Sequence, residues 1–319
     1  MLFLTTLGQM AVLFALIALG YILVKTKRIP TGSESVLSKL ETYIFLPALV
    51  LDTFARKFTV NMLSVSWKLI LWSVVILLIF ILISLFSVKL CSKDSYTQKI
   101  FIYGLSFSNF GFMGNAIVLS LFPAIFLEYQ IFTLVLWVGI YAWGAPRLLI
   151  PDDLGGKKSR FGWIKNFANP MMICMVIGMV IGLSGITLPD FAYTLVSSAG
   201  ACMSPIAMIL TGMTIAKMDI LKLLKMKSVY IVSALRLIIY PLAFIGVYFA
   251  ATAIFGISLP SAFVICAVAS LAMPLGLNTI VIPSAYGKDT TVASSMALIS
   301  HALSIITIPI IFMIMEVIL

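Results

Sequence analysis

Apolar stretches long enough to cross a lipid bilayer follow one another along nearly the whole chain. Of its 319 residues, 62% are hydrophobic and only 10% are charged, which is too little charge to cover the surface of a soluble protein. A helix needs about 20 apolar residues to cross the ~30 Å hydrocarbon core of a bilayer. The sequence therefore predicts an all-α polytopic membrane protein with ten spans, at 2–24, 35–55, 67–88, 99–124, 129–149, 170–188, 192–216, 228–250, 259–285 and 291–317.

Basic residues are distributed unevenly between the connections of these spans. Of the 21 Lys and Arg residues, 17 fall in the connections after spans one, three, five, seven and nine. Three others, Arg56, Lys57 and Lys68, share one even-numbered connection. Basic residues beside a span stay in the cytoplasm, so we expect both termini outside the cytoplasmic membrane. The net charge of +10 is then a topology signal, and we expect no nucleic-acid partner.

The polar stretch 151–170 divides the spans into two sets of five. We expect a first five-helix repeat at 1–150, a cytoplasmic linker at 151–169 and a second five-helix repeat at 170–319. Because five is odd, the second set must enter the membrane from the opposite side, as in an inverted repeat. Residues in matching spans support this interpretation by their nearly equal separations, and they are Gly20 and Gly182, Pro47 and Pro205, and Asn115 and Asn278.

Spans four and nine contain residues that interrupt helices. Glycine costs about 1 kcal/mol and proline about 3 kcal/mol in a helix interior, so we expect breaks near Gly111 and Gly114 and near Pro274 and Gly276. Interrupted spans at matching places in two halves point to a transporter's binding site, and exposed backbone N–H groups there favour anions. We expect the substrate to contact the neighbouring polar side chains, which are Asn109, Asn115, Asn278, Ser108 and Thr279. Close helix packing and hydrogen bonding between helices are the alternative interpretation.

Ionisable residues inside spans are functional candidates by default. Arg236 in span eight either attracts an anionic substrate or pairs with carbonyl groups at the interrupted helices. His301 in span ten is a candidate for proton coupling, because histidine ordinarily titrates near pH 6.5, and a neutral, hydrogen-bonded histidine is the alternative. Asp52 is expected to pair with Arg56 four residues later. Glu316 lies too near the C-terminus to count as intramembrane.

Several functions are disfavoured by what the sequence lacks. Neither interrupted span contains Asp or Glu, so the exchange of a cation for protons has no carboxylate to use, while sodium symport through amides, hydroxyls and carbonyls stays open. No catalytic motif is present, and we expect neither an enzyme nor a cofactor. The four cysteines have no metal-ligand or disulfide spacing and are interpreted as structural, so no metal is expected; they are Cys91, Cys174, Cys202 and Cys266.

Short motifs along nearly the whole chain resemble those of the auxin efflux carrier family, whose bacterial members include carriers of dicarboxylates such as malate. In chain order they are "FLPALVL", "SNFGFMGN", "NP" at Asn169, "SPIAMILTGM", "RLIIYPL", "AMPLGLN" and "YGKD". The resemblance implies a ten-helix inverted repeat, shared with bile acid carriers and sodium/proton antiporters, in which spans four and nine cross. It also implies a transport domain of spans 3–5 and 8–10 that moves against a dimeric scaffold of spans 1, 2, 6 and 7.

Carried over by position, the resemblance places Asn109 on the family's span-four asparagine and Met113–Gly114 on the crossing. Pro274 and Asn278 fall on the span-nine motif, and Arg236 falls on the recurrent span-eight arginine. The chain departs from the pattern at Asn115–Ala116, where members commonly have a proline, and at Thr279, where plant carriers have a second one.

Together these features predict an elevator-type secondary transporter of a small organic anion, either a mono- or a dicarboxylate. Its expected partners are that anion, membrane lipid and a second copy of the chain. The alternatives are a sodium-coupled symporter of the bile acid type and a non-transporting membrane receptor on the same fold.

Overall fold

The computed structural model describes residues 2–30, 32–150, 168–256 and 259–319. Regular structure in these ranges is helical apart from one isolated β-bridge. The helices are α1 (Leu2–Lys25), α2 (33–57), α3 (Val60–Cys91), α4 (Ser95–Ser106), α5 (Phe110–Leu121), α6 (Pro123–Leu149), α7 (Pro170–Ser184), α8 (Asp190–Ala216), α9 (Ile220–Leu223), α10 (Lys227–Phe255), α11 (Ser261–Ala272), α12 (Asn278–Ala285) and α13 (Thr291–Ile318).

Six of these helices are long and apolar enough to cross a membrane, namely α1, α3, α6, α8, α10 and α13. Three shorter apolar helices, α5, α7 and α11, accompany them. Large apolar side chains such as Phe86, Val247 and Ile254 are about 70% exposed on the outer surface, as expected where a helix faces lipid. The prediction of an all-helical, polytopic integral membrane protein is therefore confirmed.

Each predicted span is helical in the structure, although several boundaries differ. Span four corresponds to α4 and α5, and span nine corresponds to α11 and α12. Span six was expected to continue to residue 188, but α7 ends at Ser184 because Gly185 adopts a left-handed conformation with φ 67°. The predicted linker lies outside the described residues except for residues 168 and 169.

Side-chain caps fix where two helices begin. The Asp94 carboxylate accepts a hydrogen bond from the Thr97 backbone N–H at 2.7 Å and starts α4. This bond stabilises the ionised form and lowers the pKa of Asp94 below its ordinary value. Asn169 accepts from the Met172 N–H at 3.1 Å, and Pro170 occupies the first turn of α7.

In α2 and in α10, a wide π-helical turn comes just before a proline. In α2 the turn is Glu41–Phe45 and precedes Pro47, and in α10 it is Leu235–Ile239 and precedes Pro241. A proline has no N–H to donate and its ring crowds the carbonyl four residues earlier, so a wider turn accommodates it. Arg236 lies in the second of these turns.

Glycines allow two helix pairs to pack backbone against backbone. A Cβ atom on Gly20 of α1 would collide with the carbonyl oxygen of Ile209 in α8, and one on Gly212 of α8 would collide with that of Ile17. In the same way, a Cβ atom on Gly182 of α7 would meet the carbonyl oxygens of Phe54 in α2 and of Phe58 directly after it. These four helices therefore form two tightly joined pairs.

Ion pairs occur near the ends of α2. Asp52 and Arg56 pair at 2.7 Å, as predicted from their spacing, and the Arg56 guanidinium lies 4.2 Å from the centre of the Tyr193 ring in α8. Glu34 at the other end of α2 pairs with Lys217, directly after α8. Both pairs are partly exposed, and such pairs contribute only about 0–1 kcal/mol each.

Candidate functional site

The helices of spans four and nine both break near their middle, and the two breaks are paired. α4 ends at Ser106 and α11 ends at Ala272. Beyond these ends, Ser108 and Leu275 form an antiparallel bridge, and the Asn109 backbone N–H donates to the Pro274 carbonyl at 2.7 Å. The freed backbone groups thus find partners across the two breaks, as the absence of water inside a membrane requires.

The break in span four divides the span into two helices of equal length. α4 and α5 contain 12 residues each, and a helix rises 1.5 Å per residue, so each is about 18 Å long. The break is complete although the proline common in similar sequences is absent, because residues 107–109 between α4 and α5 are not helical.

A small, partly open pocket lies at the paired breaks, and its enclosed space of about 10 Å³ holds about one water molecule. No described residue of its lining carries a formal charge. The wall combines amide and hydroxyl groups with aromatic rings and glycines. The lining residues are Tyr103, Ser108, Asn109, Phe110, Gly111, Phe112, Trp137, Ile140, Gly276, Leu277 and Asn278.

Asn109 joins this pocket to His301 behind it. The imidazole of His301 is fully buried, and its Nδ1 lies 2.8 Å from the Ala297 carbonyl oxygen, to which it must donate. The Nε2 atom lies 3.1 Å from Nδ2 of Asn109. With the proton on Nδ1, Nε2 accepts a hydrogen bond from the Asn109 amide. The Asn109 amide then has its acceptor, Oδ1, and the second N–H of Nδ2 left for other partners.

The second pocket asparagine, Asn278, starts α12 and donates to the Tyr103 hydroxyl at 3.1 Å. Gly276 lies against the break in span four, because a Cβ atom there would come within 3.2 Å of the carbonyl oxygens of Phe107 and Ser108. A Cβ atom on Gly111 would collide with the Trp137 ring. Gly111 and Gly276, which the sequence predicted as break positions, are thus the residues that allow the pocket walls to approach each other.

Two residues expected near the substrate, Asn115 and Thr279, and one expected break position, Gly114, lie outside the pocket lining. The Asn115 Oδ1 accepts from Gln130 at 3.0 Å in α6, and the Thr279 hydroxyl donates to the Gly276 carbonyl at 2.8 Å. Gly114 faces the Tyr129 hydroxyl, which in turn donates to the Phe110 carbonyl at 3.0 Å. These contacts stabilise the beginning of α5 and of α12 on the side away from the pocket.

Arg236 is the third residue outside the pocket lining that the sequence assigned to substrate. It contacts the ends of the helices that lead into the crossing. Its Nη1 donates to the Leu105 carbonyl of α4 and its Nη2 donates to the Ser270 carbonyl of α11, each at 2.8 Å. The Ser108 hydroxyl donates to the same Ser270 carbonyl at 2.7 Å. Of the two roles considered from the sequence, the structure shows the pairing with carbonyl groups.

Sequence reasoning missed three residues that the structure makes prominent. Tyr103 and Trp137 line the pocket. In the sequence, the only indication of this role was an aromatic ring in a predicted span next to small residues. Glu41 is 1% exposed within α2, and its carboxylate has no hydrogen-bond partner among the described residues. The sequence did indicate Glu41 as a functional candidate, because it is an ionisable residue inside the predicted span 35–55.

Broken helices that meet at a buried polar pocket are the arrangement of secondary transporters. The comparison with protein families places the chain more closely. A family described as membrane transport protein matches residues 5–159 and 157–312, nearly the whole chain. The chain belongs to this family, the auxin efflux carrier family that its motifs resemble, and it is a membrane transporter. A search of curated proteins finds no match.

Proposed function

We propose that the protein is a secondary carrier of a small organic anion. The observation that supports this most is the pocket where α5 and α12 both begin. The first backbone N–H groups of a helix have no partner inside it and carry the positive end of its dipole. Two such ends, together with the second amide N–H of Asn278 and, when His301 is protonated, the amide N–H groups of Asn109, suit a carboxylate.

The lining also favours one kind of anion. Phe110, Phe112, Trp137 and Tyr103 make much of the wall aromatic, and its described residues offer no Lys or Arg for a second negative charge. A monocarboxylate with a planar or apolar body would place its charge on the helix ends and its body against the rings. We therefore rank a monocarboxylate above a dicarboxylate such as malate.

The proposed topology is ten spans in two inverted repeats, with both termini outside the cytoplasmic membrane. The packing of the glycines supports it. Gly20 in α1 contacts α8, and Gly182, its sequence counterpart in α7, contacts α2. If α1 corresponds to α7 and α2 corresponds to α8 in the two repeats, the contact of α1 with α8 corresponds to the contact of α7 with α2. The two family matches also meet at residues 157–159, within the expected linker.

The proposed movement is an elevator-like displacement of a transport domain against a scaffold. The scaffold comprises α1, α2, α7 and α8, whose glycine contacts join backbone to backbone. The transport domain comprises α3 to α6 and α10 to α13, which hold the pocket between them. A dimer formed through the scaffold is part of the same proposal.

Proton coupling through His301 completes the proposal. A protonated imidazole has two N–H donors and no acceptor, so Asn109 must turn its Oδ1 towards Nε2 and its Nδ2 towards the pocket. Protonation thus replaces a hydrogen-bond acceptor in the pocket by a donor, which favours an anion. Proton and anion would then bind together, as in a proton symporter.

The test is uptake by purified protein in proteoliposomes. A panel of mono- and dicarboxylates is first screened by thermal shift, and the compounds that bind are assayed for flux. We expect Asn109→Ala and Asn278→Ala to lower flux by at least about tenfold, the effect of losing one to two hydrogen bonds to a charged group. Asn61→Ala, the same truncation at an exposed site on α3, is the control.

Two results would contradict the proposal. Flux at the wild-type level in both pocket variants would remove those residues from the site. Saturable binding without any flux would indicate a receptor instead of a carrier.

A further inference from the structure

Arg236 is a buried positive charge that no carboxylate compensates among the described residues. Its side chain is 1% exposed, and the ion pairs found in those residues join other groups. Moving an isolated charge out of water costs many kcal/mol unless it is paired. Arg236 must therefore be balanced by something other than Asp or Glu.

The balance comes from the two helix ends that Arg236 contacts. Leu105 is the second-last residue of α4 and Ser270 is the third-last residue of α11. The last carbonyl groups of a helix have no partner inside it, and each helix end carries about half a negative charge. Two such ends together offset about one positive charge, which is what the guanidinium supplies.

The shape of the guanidinium matters as well as its charge. One nitrogen, Nη1, donates to α4 and the other, Nη2, donates to α11. The planar guanidinium thus connects two helices, through acceptors that lie 131 and 34 residues away from Arg236 in the sequence. Interrupted helices that end at the same place in a membrane would otherwise repel each other through their negative ends.

We propose that Arg236 is a tethered cation that takes the place a bound sodium ion would occupy in a cation-coupled carrier. In such carriers the C-terminal ends of half-helices and unwound carbonyls coordinate the coupling ion. Here the guanidinium fills that role permanently, so the crossing is assembled without sodium. Arg236 is a positioning residue and does not contact the substrate. The consequence for transport, independence of sodium, rests on the proposed function.

The experiment removes the guanidinium and returns it as a free ion. Arg236→Ala should lower the melting temperature and the flux, and millimolar guanidinium chloride should restore part of both, whereas equal sodium chloride restores less. Arg56→Ala, an arginine truncation at a partly exposed site, is the control and should not respond to guanidinium. Wild-type flux should be the same in sodium, potassium and choline buffers.

A second variant keeps the test decisive if Arg236→Ala does not fold. Arg236→Lys keeps the charge but loses the fork that reaches both carbonyls. We expect about three- to tenfold lower flux, still independent of sodium. Wild-type flux in Arg236→Lys would contradict the two-helix geometry.

The remaining outcomes separate this inference from the proposed function. A wild-type protein that needs sodium for flux would overturn the tethered cation, and so would an Arg236→Ala variant with unchanged melting temperature. If no compound is transported by the wild type, the proposed function fails, but the melting temperatures with and without guanidinium still decide the role of Arg236.

Discussion

At the scale of the residue, the structure separates asparagines that the sequence could not rank. Asn109 and Asn115 are six residues apart, so they lie on different faces of any regular helix, and the break between α4 and α5 removes the periodicity that would say which face is which. In the structure, Asn109 lines the pocket and Asn115 contacts Gln130. Composition identified the polar segment, and only the three-dimensional arrangement identifies the side chains that could contact a substrate.

The contact between His301 and Asn109 gives a prediction with a definite sign. Because protonation of His301 turns the Asn109 N–H groups towards the pocket, anion affinity should rise as the pH falls across the range in which the protein stays folded. His301→Gln keeps hydrogen-bonding groups but cannot gain a proton, so its affinity should be flat over this range. The measurement is the dissociation constant of a transported anion, chosen to stay fully ionised throughout, as a function of pH.

The same measurement can also contradict the idea. A wild-type affinity that does not change with pH, or an unchanged pH profile in His301→Gln, would leave His301 as a structural histidine. Asn109→Ala should lose the pH dependence together with affinity, since the signal passes through its amide.

At the scale of the element, the sequence predicted helices well and their contacts poorly. The predicted spans are helical, the break in span nine falls at Pro274 and Gly276, and the pair of Asp52 with Arg56 is present. The break in span four was expected near Gly111 and Gly114 but comes earlier, at 107–109, and both glycines lie in the first turn of α5. These features are local, because each depends on residues within a few positions of one another. The contact of Arg236 with Leu105 crosses 131 residues, and no local pattern encodes such a partner.

Glycine contacts between elements give a second prediction. Gly20→Ala and Gly212→Ala each place a methyl group against a backbone carbonyl of the facing helix, and backbone cannot rotate away as a side chain can. We expect a loss of at least about 1–3 kcal/mol in stability for each, seen as a lower melting temperature. Gly8→Ala in the same helix α1 meets no atom within 4 Å and should leave it unchanged or slightly raised.

At the scale of the whole molecule, two groups of helices differ in how they are joined. α1 and α8, and likewise α2 and α7, touch through their backbones, which leaves no room for sliding. Between α2 and the start of α6 the structure shows one hydrogen bond, which the long side chain of Lys57 donates from Nζ to the Pro123 carbonyl at 3.2 Å. Contacts made by the end of a flexible side chain can be exchanged at small cost, whereas close-packed backbones cannot. A movement of α2 past α6 is therefore easier than a movement of α2 past α7.

This difference can be tested by cross-linking across each boundary in a background without the four native cysteines. A reducible cross-link between Lys57→Cys and Pro123→Cys joins the proposed scaffold to the proposed transport domain, and it should lower flux by at least about tenfold, because the two could no longer move apart. The control is Glu34→Cys with Lys217→Cys, where an exposed ion pair already joins α2 to the residue after α8, so a link inside the scaffold should leave flux intact. Reduction should restore the first protein. Equal flux in both cross-linked proteins would show that the crossing carries its substrate without displacement of one group against the other.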